Sequence, residues 1–233
     1  MRSEENRWYQ VMPPNINILK CELADDAINY LWDCIEVAKE RKFSANSHLA
    51  GNIDESLYLK DNDDWFFKKV LQGPCESYIE QFSFVSTFRN NYTSVVEDTL
   101  RLREFWMNTS KQHDFNPMHC HGGVLSFVIW MKIPTKSEEQ HNIPISKNSF
   151  SPTASDFCFT YTDILGTIQP MKIAMNPDCE GTMYVFPSTL THQVYPFYNC
   201  DDDRISISGN LYYDVQTLLD SDDVRTQEFG YKP

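Results

Sequence analysis

Hydrophobic and polar positions follow two different rhythms along the 233-residue chain. From Ala24 to Arg41, Ile28, Leu31, Trp32 and Ile35 recur at helical spacing and form one apolar stripe. Asp25 and Asp26 stand at its start, where the exposed amide groups of a helix favour negative charge. A second helix is predicted from about Asp63 to Phe84, broken near Gly73-Pro74. Beyond it the rhythm shortens. Leu100 to Asn108, Val124 to Ile133, Phe157 to Tyr161, Met171 to Met175, Thr182 to Phe186 and Ile205 to Tyr213 are short runs rich in β-branched and aromatic residues, and they predict strands. Helices followed by many strands imply a mainly β barrel or sandwich with the N-terminal helices packed outside. Thr135 to Pro152, with two Pro and five Ser/Thr, is expected to be a long inserted loop of the kind that often forms a lid. The length suits one domain over 1–233: a mostly helical region over 1–98, a β core over 99–213 and a tail over 214–233.

Composition narrows the function classes. A net charge of −13 and the lack of any Lys/Arg cluster disfavour nucleic acid, whose binders draw most of their affinity from neutralising phosphates. Seven Cys at irregular spacing, with no Cys-x-x-Cys, argue against a disulfide framework or a zinc knuckle and fit a reducing cytoplasm. The first residues, MRSEENRWYQ, lack the apolar core of a secretory signal, and no apolar run reaches membrane-spanning length.

Three stretches carry candidate chemistry. In Asn116-Pro117-Met118-His119-Cys120-His121-Gly122-Gly123, strand alternation would project His119 and His121 from one face and turn Cys120 to the other, into the core. Paired imidazoles suit iron, zinc or copper. Downstream, Gly181 to Val194 contains a strand ended by Pro187 and followed by His192. In Asp203 to Asn210, alternation places Arg204, Ser206, Ser208 and Asn210 on one face, with Ile205, Ile207 and Leu211 on the other. An Arg with a hydroxyl two residues on can grip one end of a dicarboxylate.

His-x-His, then His192 in a Phe-Pro-Ser-x-Leu-x-His setting, then Arg-x-Ser starting twelve residues later, together resemble the 2-oxoglutarate/Fe(II) oxygenases. More narrowly they are similar to an oxygenase group abundant in marine phages and bacteria. Trp106-Met107-Asn108 and His48-Leu49-Ala50-Gly51-Asn52-Ile53 look like weaker features of that group, so the likeness runs from about residue 48 onward. The resemblance implies a double-stranded β-helix, a jelly-roll or cupin-like barrel. It implies Fe(II) held by His119 and His192, with 2-oxoglutarate as cosubstrate and O2 as oxidant. The family places a carboxylate where this chain has His121. Three arrangements stay open: His121 as third ligand, two His with water, or a carboxylate such as Asp163 reaching in. Arg204 and Ser206 match the cosubstrate grip, and Asn108, Tyr161 and Ser126 are candidates to complete the pocket.

The implied reaction couples decarboxylation of 2-oxoglutarate to C–H oxidation, by default hydroxylation, of a peptide or protein side chain or a small molecule. A three-His thiol dioxygenase and a non-catalytic metal-binding barrel are the rivals. The expected location is cytoplasmic, in the host cell if the protein is phage-encoded. The loop Thr135 to Pro152 and the N-terminal helices are expected to select the substrate.

Overall fold

The computed structural model describes residues 17–81 and 100–213. The predicted tail over 214–233 and the end of the second predicted helix lie outside these residues.

In chain order the elements are β1 (Leu19–Glu22), α1 (Asp25–Arg41), β2 (Glu55–Tyr58), α2 (Gln72–Gln81), β3 (Leu100–Ser110), β4 (Asn116–His119), β5 (Leu125–Lys132), α3 (Ser137–His141), β6 (Phe157–Thr162), β7 (Ile168–Ile173), β8 (Thr182–Pro187), β9 (His192–Val194) and β10 (Arg204–Tyr213). They build a mixed β/α fold with two antiparallel sheets. The larger has the order β1-β8-β5-β10-β3-β2 and the smaller β4-β9-β6-β7. Five predicted strands form close to their predicted ranges, the one expected over Met171 to Met175 is displaced to Ile168–Ile173, and α1 covers all but the first residue of its predicted range. The region before residue 99 is less purely helical than expected. Two four-residue strands, β1 and β2, pair with β8 and β3 and extend the large sheet at its two edges.

Alternation sorts the large sheet's side chains. Along β5, Leu125, Phe127, Ile129 and Met131 pack on one face with Leu31 and Ile35 of α1 and with Phe66, Phe67 and Leu71. Val128 and Trp130 point the other way and meet Phe157, Phe159 and Phe186 between the sheets. A strand buried on both faces is apolar at nearly every position, and the one buried polar residue of β5, Ser126, has its hydroxyl hydrogen-bonded. The predicted break at Gly73-Pro74 takes another form. A π-helical turn, Phe67–Leu71, precedes α2, and helix continues through both residues. Pro74 has no N–H for the carbonyl four residues back, and widening the preceding turn accommodates its ring without ending the helix.

The segment Thr135 to Pro152 is fastened rather than loose. Its start folds into α3, whose Gln140 both donates to the Tyr198 carbonyl and accepts from its N–H, each at 2.8 Å. His141 meets the buried Asp156 at 3.0 Å.

Candidate metal and cosubstrate site

The smaller sheet brings the histidines together. β4 and β9 pair so that His119 stands directly opposite His192. The chain leaves β4 after His119, and His121 is fixed by its backbone N–H donating to the Ser188 carbonyl at 2.8 Å. The two His of the motif therefore converge across a strand end, not along one strand face. Cys120 is correspondingly exposed, because strand alternation stops before it; the expected core position is wrong. One nitrogen from each of His119, His121 and His192 lies within 4.8 Å of the others.

The donors are oriented and neutral. His119 Nδ1 lies 2.7 Å from the Pro117 carbonyl, and His192 Nδ1 lies 2.9 Å from that of Leu190. Each carbonyl can only accept, so Nδ1 carries the proton and the Nε2 lone pair is left for a metal. His192 is boxed by Phe157, Phe159 and Phe186, whose ring centres lie 5.6, 6.1 and 5.0 Å from its own. That burial, reinforced by nearby His119, pushes its pKa down to about 3. His121, edge-on to Trp106, is pushed down to about 4, again chiefly by burial. Burial also lowers His119. The unfolded chain therefore takes up protons first on acidification. Metal-stripped protein should lose stability progressively below pH 6.5, the ordinary His value, until the folded-state values near 4 and 3 are reached. Urea midpoints at pH 7.5 and 4.5 measure this, and His192→Gln should reduce the difference between them. An unchanged difference would contradict the assignment.

The histidines open on a cavity of about 330 Å³ between the sheets. Arg204, Ser206, Ser208 and Asn210 of β10 line it, as alternation predicts, facing Glu104, Trp106, Asn108 and Ser110 of β3. Arg204 is 5% exposed. Its guanidinium donates to the carbonyls of Ser155 (3.2 Å) and Tyr195 (3.4 Å) and sits 5.0 Å from the centre of the Phe197 ring. Among the described residues no carboxylate pairs with it. Burial draws its pKa down to about 10, with Asp114 opposing, so it remains charged at neutral pH. A buried cation without a counter-ion, beside a cavity, calls for an anionic ligand.

The other candidates divide. Asn108, opposite Ser206 in the ladder, lines the cavity, and its buried Oδ1 has no partner. Ser126 does not reach the cavity; its hydroxyl is held within the core by Asn210 Oδ1 at 2.6 Å and Ser188 Oγ at 3.0 Å. Tyr161 is 40% exposed at the far end of β6, opposite Gln169, and takes no part in the cavity. Asp163 does not approach the histidines. Its carboxylate closes the β6–β7 turn by accepting from the N–H groups of Leu165 and Thr167 and from Gln169.

Sequence reasoning missed Glu104 and the cavity-lining role of Trp106. It also missed that Asn116, whose Nδ2 lies 3.3 Å from His119 Nε2, borders the metal-facing nitrogen. No residue of the loop Thr135 to Pro152 lines the cavity, and neither helix α1 nor α2 does. The outer wall comes instead from Ala45, Leu49, Ala50 and Ile53, between α1 and β2. Gly51 allows this. A Cβ there would lie 2.4 Å from the Phe115 carbonyl oxygen and 2.8 Å from Asn116 Cα. Gly51→Val should therefore cost about 1–3 kcal/mol as overpacking against backbone; an unshifted urea midpoint would show that the wall is not held there.

A family profile described as "Putative 2OG-Fe(II) oxygenase" matches residues 104–210. Over these residues the core is similar to the 2-oxoglutarate/Fe(II) oxygenases. The match takes in all three histidines, Arg204 and Ser206. No curated protein matches the sequence. Solved structures resembling it include a Pseudomonas putida prolyl-4-hydroxylase, at 12% identity and TM-score 0.43, covering 84% of this chain and 91% of that one. A Trichoplax adhaerens prolyl hydroxylase in complex with a hypoxia inducible factor peptide shows 11% identity and TM-score 0.45, covering 85% and 83%. HygX from Streptomyces hygroscopicus with nickel and 2-oxoglutarate bound shows 8% identity and TM-score 0.40, covering 84% and 82%. Likenesses this distant leave this chain's own residues to carry the chemistry.

Proposed function

We propose that the protein is an Fe(II)- and 2-oxoglutarate-dependent oxygenase, a hydroxylase in its default outcome, acting on a peptide side chain or small molecule. The observation that carries this is the placement of three converging neutral imidazoles and one buried, unpaired guanidinium on the same cavity. His119, His121 and His192 would hold the iron. Three neutral nitrogen donors suit a divalent ion, and none of the three must lose a proton at pH 7 to bind it. The closing of the β6–β7 turn by Asp163 and the carboxylate-free His cluster favour His121 as third ligand over a distant acid.

Arg204 would pair with the distal carboxylate of 2-oxoglutarate and Ser206 would add its hydroxyl, while the unpartnered Asn108 Oδ1 is free to accept from a donor in the cavity. Bound iron would supply the oxidative chemistry, coupling O2 reduction and decarboxylation of 2-oxoglutarate to attack on a C–H bond. The protein supplies orientation and a largely apolar wall of Val128, Trp130, Phe157 and Phe186 that restricts water near the imidazoles. The two sheets are the faces of a double-stranded β-helix within one domain over 1–233. Aerobic conversion of 2-oxoglutarate to succinate, dependent on Fe(II) and abolished in His192→Ala, tests the proposal. Iron binding without succinate, with or without candidate substrates, would support instead a thiol dioxygenase-like enzyme or a silent metal site.

A further inference from the structure

Given that reading of the site, the cavity has a second charged end with no assigned role. In the β3–β10 ladder Arg204 stands opposite Ser110, and Asn210 stands opposite Glu104. Six residues of antiparallel strand separate the two levels, roughly 20 Å at about 3.4 Å per residue. His121 packs on Trp106, whose ladder partner is Ser208, so the imidazoles lie between the two ends. Among the described residues Glu104 is the only carboxylate that lines the cavity, and Arg204 the only guanidinium.

We propose that the Glu104 end receives a cationic nitrogen group of the primary substrate, a protonated amine or guanidinium. Glu104 Oε2 accepts from Asn210 Nδ2 and, at 3.2 Å, from the Tyr212 hydroxyl. These donors fix the carboxylate without neutralising it, and among the described residues no cation pairs with it. Its Oε1 stays available for a ligand. Trp106, 7% exposed, lines the same stretch, and its buried Nε1 has no partner, so a second polar group there awaits a ligand. Trp106 and Tyr212 supply aromatic surface of the kind that favours a cation. The backbone at Gly123, with φ of +89°, lies so close to Tyr212 that an added Cβ would come within 3.2 Å of its ring, which pins the tyrosine against Glu104. Leu49, Ile53 and Phe115 add an apolar rim suited to the aliphatic stem of such a group. The chain's net charge of −13 would steer a cation toward this mouth and oppose an anionic substrate.

A bulge in the ladder aims Glu104. Leu211 pairs with Leu102 and Asn210 with Glu104, so Arg103 is the extra residue. Leu102 can then pack on the helix-covered core while Glu104, two residues on, turns to the opposite face.

The test uses the full chain loaded anaerobically with Fe(II) and titrated calorimetrically with small probes. These are Nα-acetyl-lysine amide, Nα-acetyl-arginine amide, free lysine, free arginine and the neutral Nα-acetyl-norleucine amide. At least one cationic probe should bind about tenfold tighter than the neutral one, and Glu104→Gln should remove that preference. Capped probes binding better than free amino acids would assign the group to a peptide; the reverse would assign it to a small amine. Equal affinity for cationic and neutral probes, or no binding of any cation to the wild-type protein, would overturn the inference without reference to a variant. A parallel titration with 2-oxoglutarate separates the two readings. Cosubstrate binding without cation preference sinks only the Glu104 subsite, and cation preference without cosubstrate binding sinks only the oxygenase function.

Discussion

Arg204→Ala is expected to weaken 2-oxoglutarate binding by roughly 30- to 3,000-fold while iron still binds. The range follows from the cost of truncating one partner of a buried charge pair, about 2–5 kcal/mol, at about 1.4 kcal/mol per tenfold. Placement supports a value well inside that range. Arg204 is 5% exposed, the guanidinium's hydrogen bonds go only to carbonyl oxygens, and no side-chain anion competes for it among the described residues. Arg204→Lys should recover part of the loss, because a lysine keeps the charge but not the two-pronged geometry. Calorimetric titration of the Fe(II)-loaded variants measures both. Affinity within threefold of wild type for the alanine variant would mean that the dicarboxylate lies elsewhere.

The second large effect concerns the histidine that stands in place of a carboxylate. If His121 is a ligand, His121→Ala should lower Fe(II) affinity by more than the 10- to 100-fold that removal of an outer-shell partner typically costs. His121→Asp should restore tight binding, since a carboxylate suits iron and offsets one unit of its charge. Competition against a chromophoric chelator under anaerobic conditions reads both. If His121→Ala binds iron as wild type does, the metal rests on His119 and His192 alone, and His121 serves only to pack on Trp106.

Much of this site was legible in the sequence because two simple periodicities write it. The β10 alternation placed Arg204, Ser206 and Ser208 on the cavity and Ile205, Ile207 and Leu211 in the core, as found. His192 was legible through its motif, although the short strand that seats it opposite His119 was not. What escaped notice depends on departures from regular strand. β4 ends at His119, so parity gave Cys120 the wrong environment. The bulge at Arg103 reverses the face on which Glu104 falls relative to Leu102, and in the run Arg101-Leu102-Arg103-Glu104 the acid looks like part of a solvated charge pattern. Tyr161 and Ser126, candidates to complete the pocket, both lie on strands, and strand membership fixes neither depth in the sheet nor competing partners. Ser126 lost its hydroxyl to Asn210 and Ser188, contacts 84 and 62 residues away in sequence. The cavity wall from Leu49 to Ile53 rests on the Asn52–Phe115 bridge, a pairing across the chain that local pattern does not announce.

The most direct measurement is a visible-spectrum titration of the anaerobic Fe(II) protein with 2-oxoglutarate, run alongside His192→Ala and Arg204→Ala. A saturable metal-to-ligand charge-transfer band is expected in the wild type, absent in His192→Ala and shifted to much higher cosubstrate concentration in Arg204→Ala. An iron-loaded wild-type protein that develops no band at any 2-oxoglutarate concentration would contradict the proposed function.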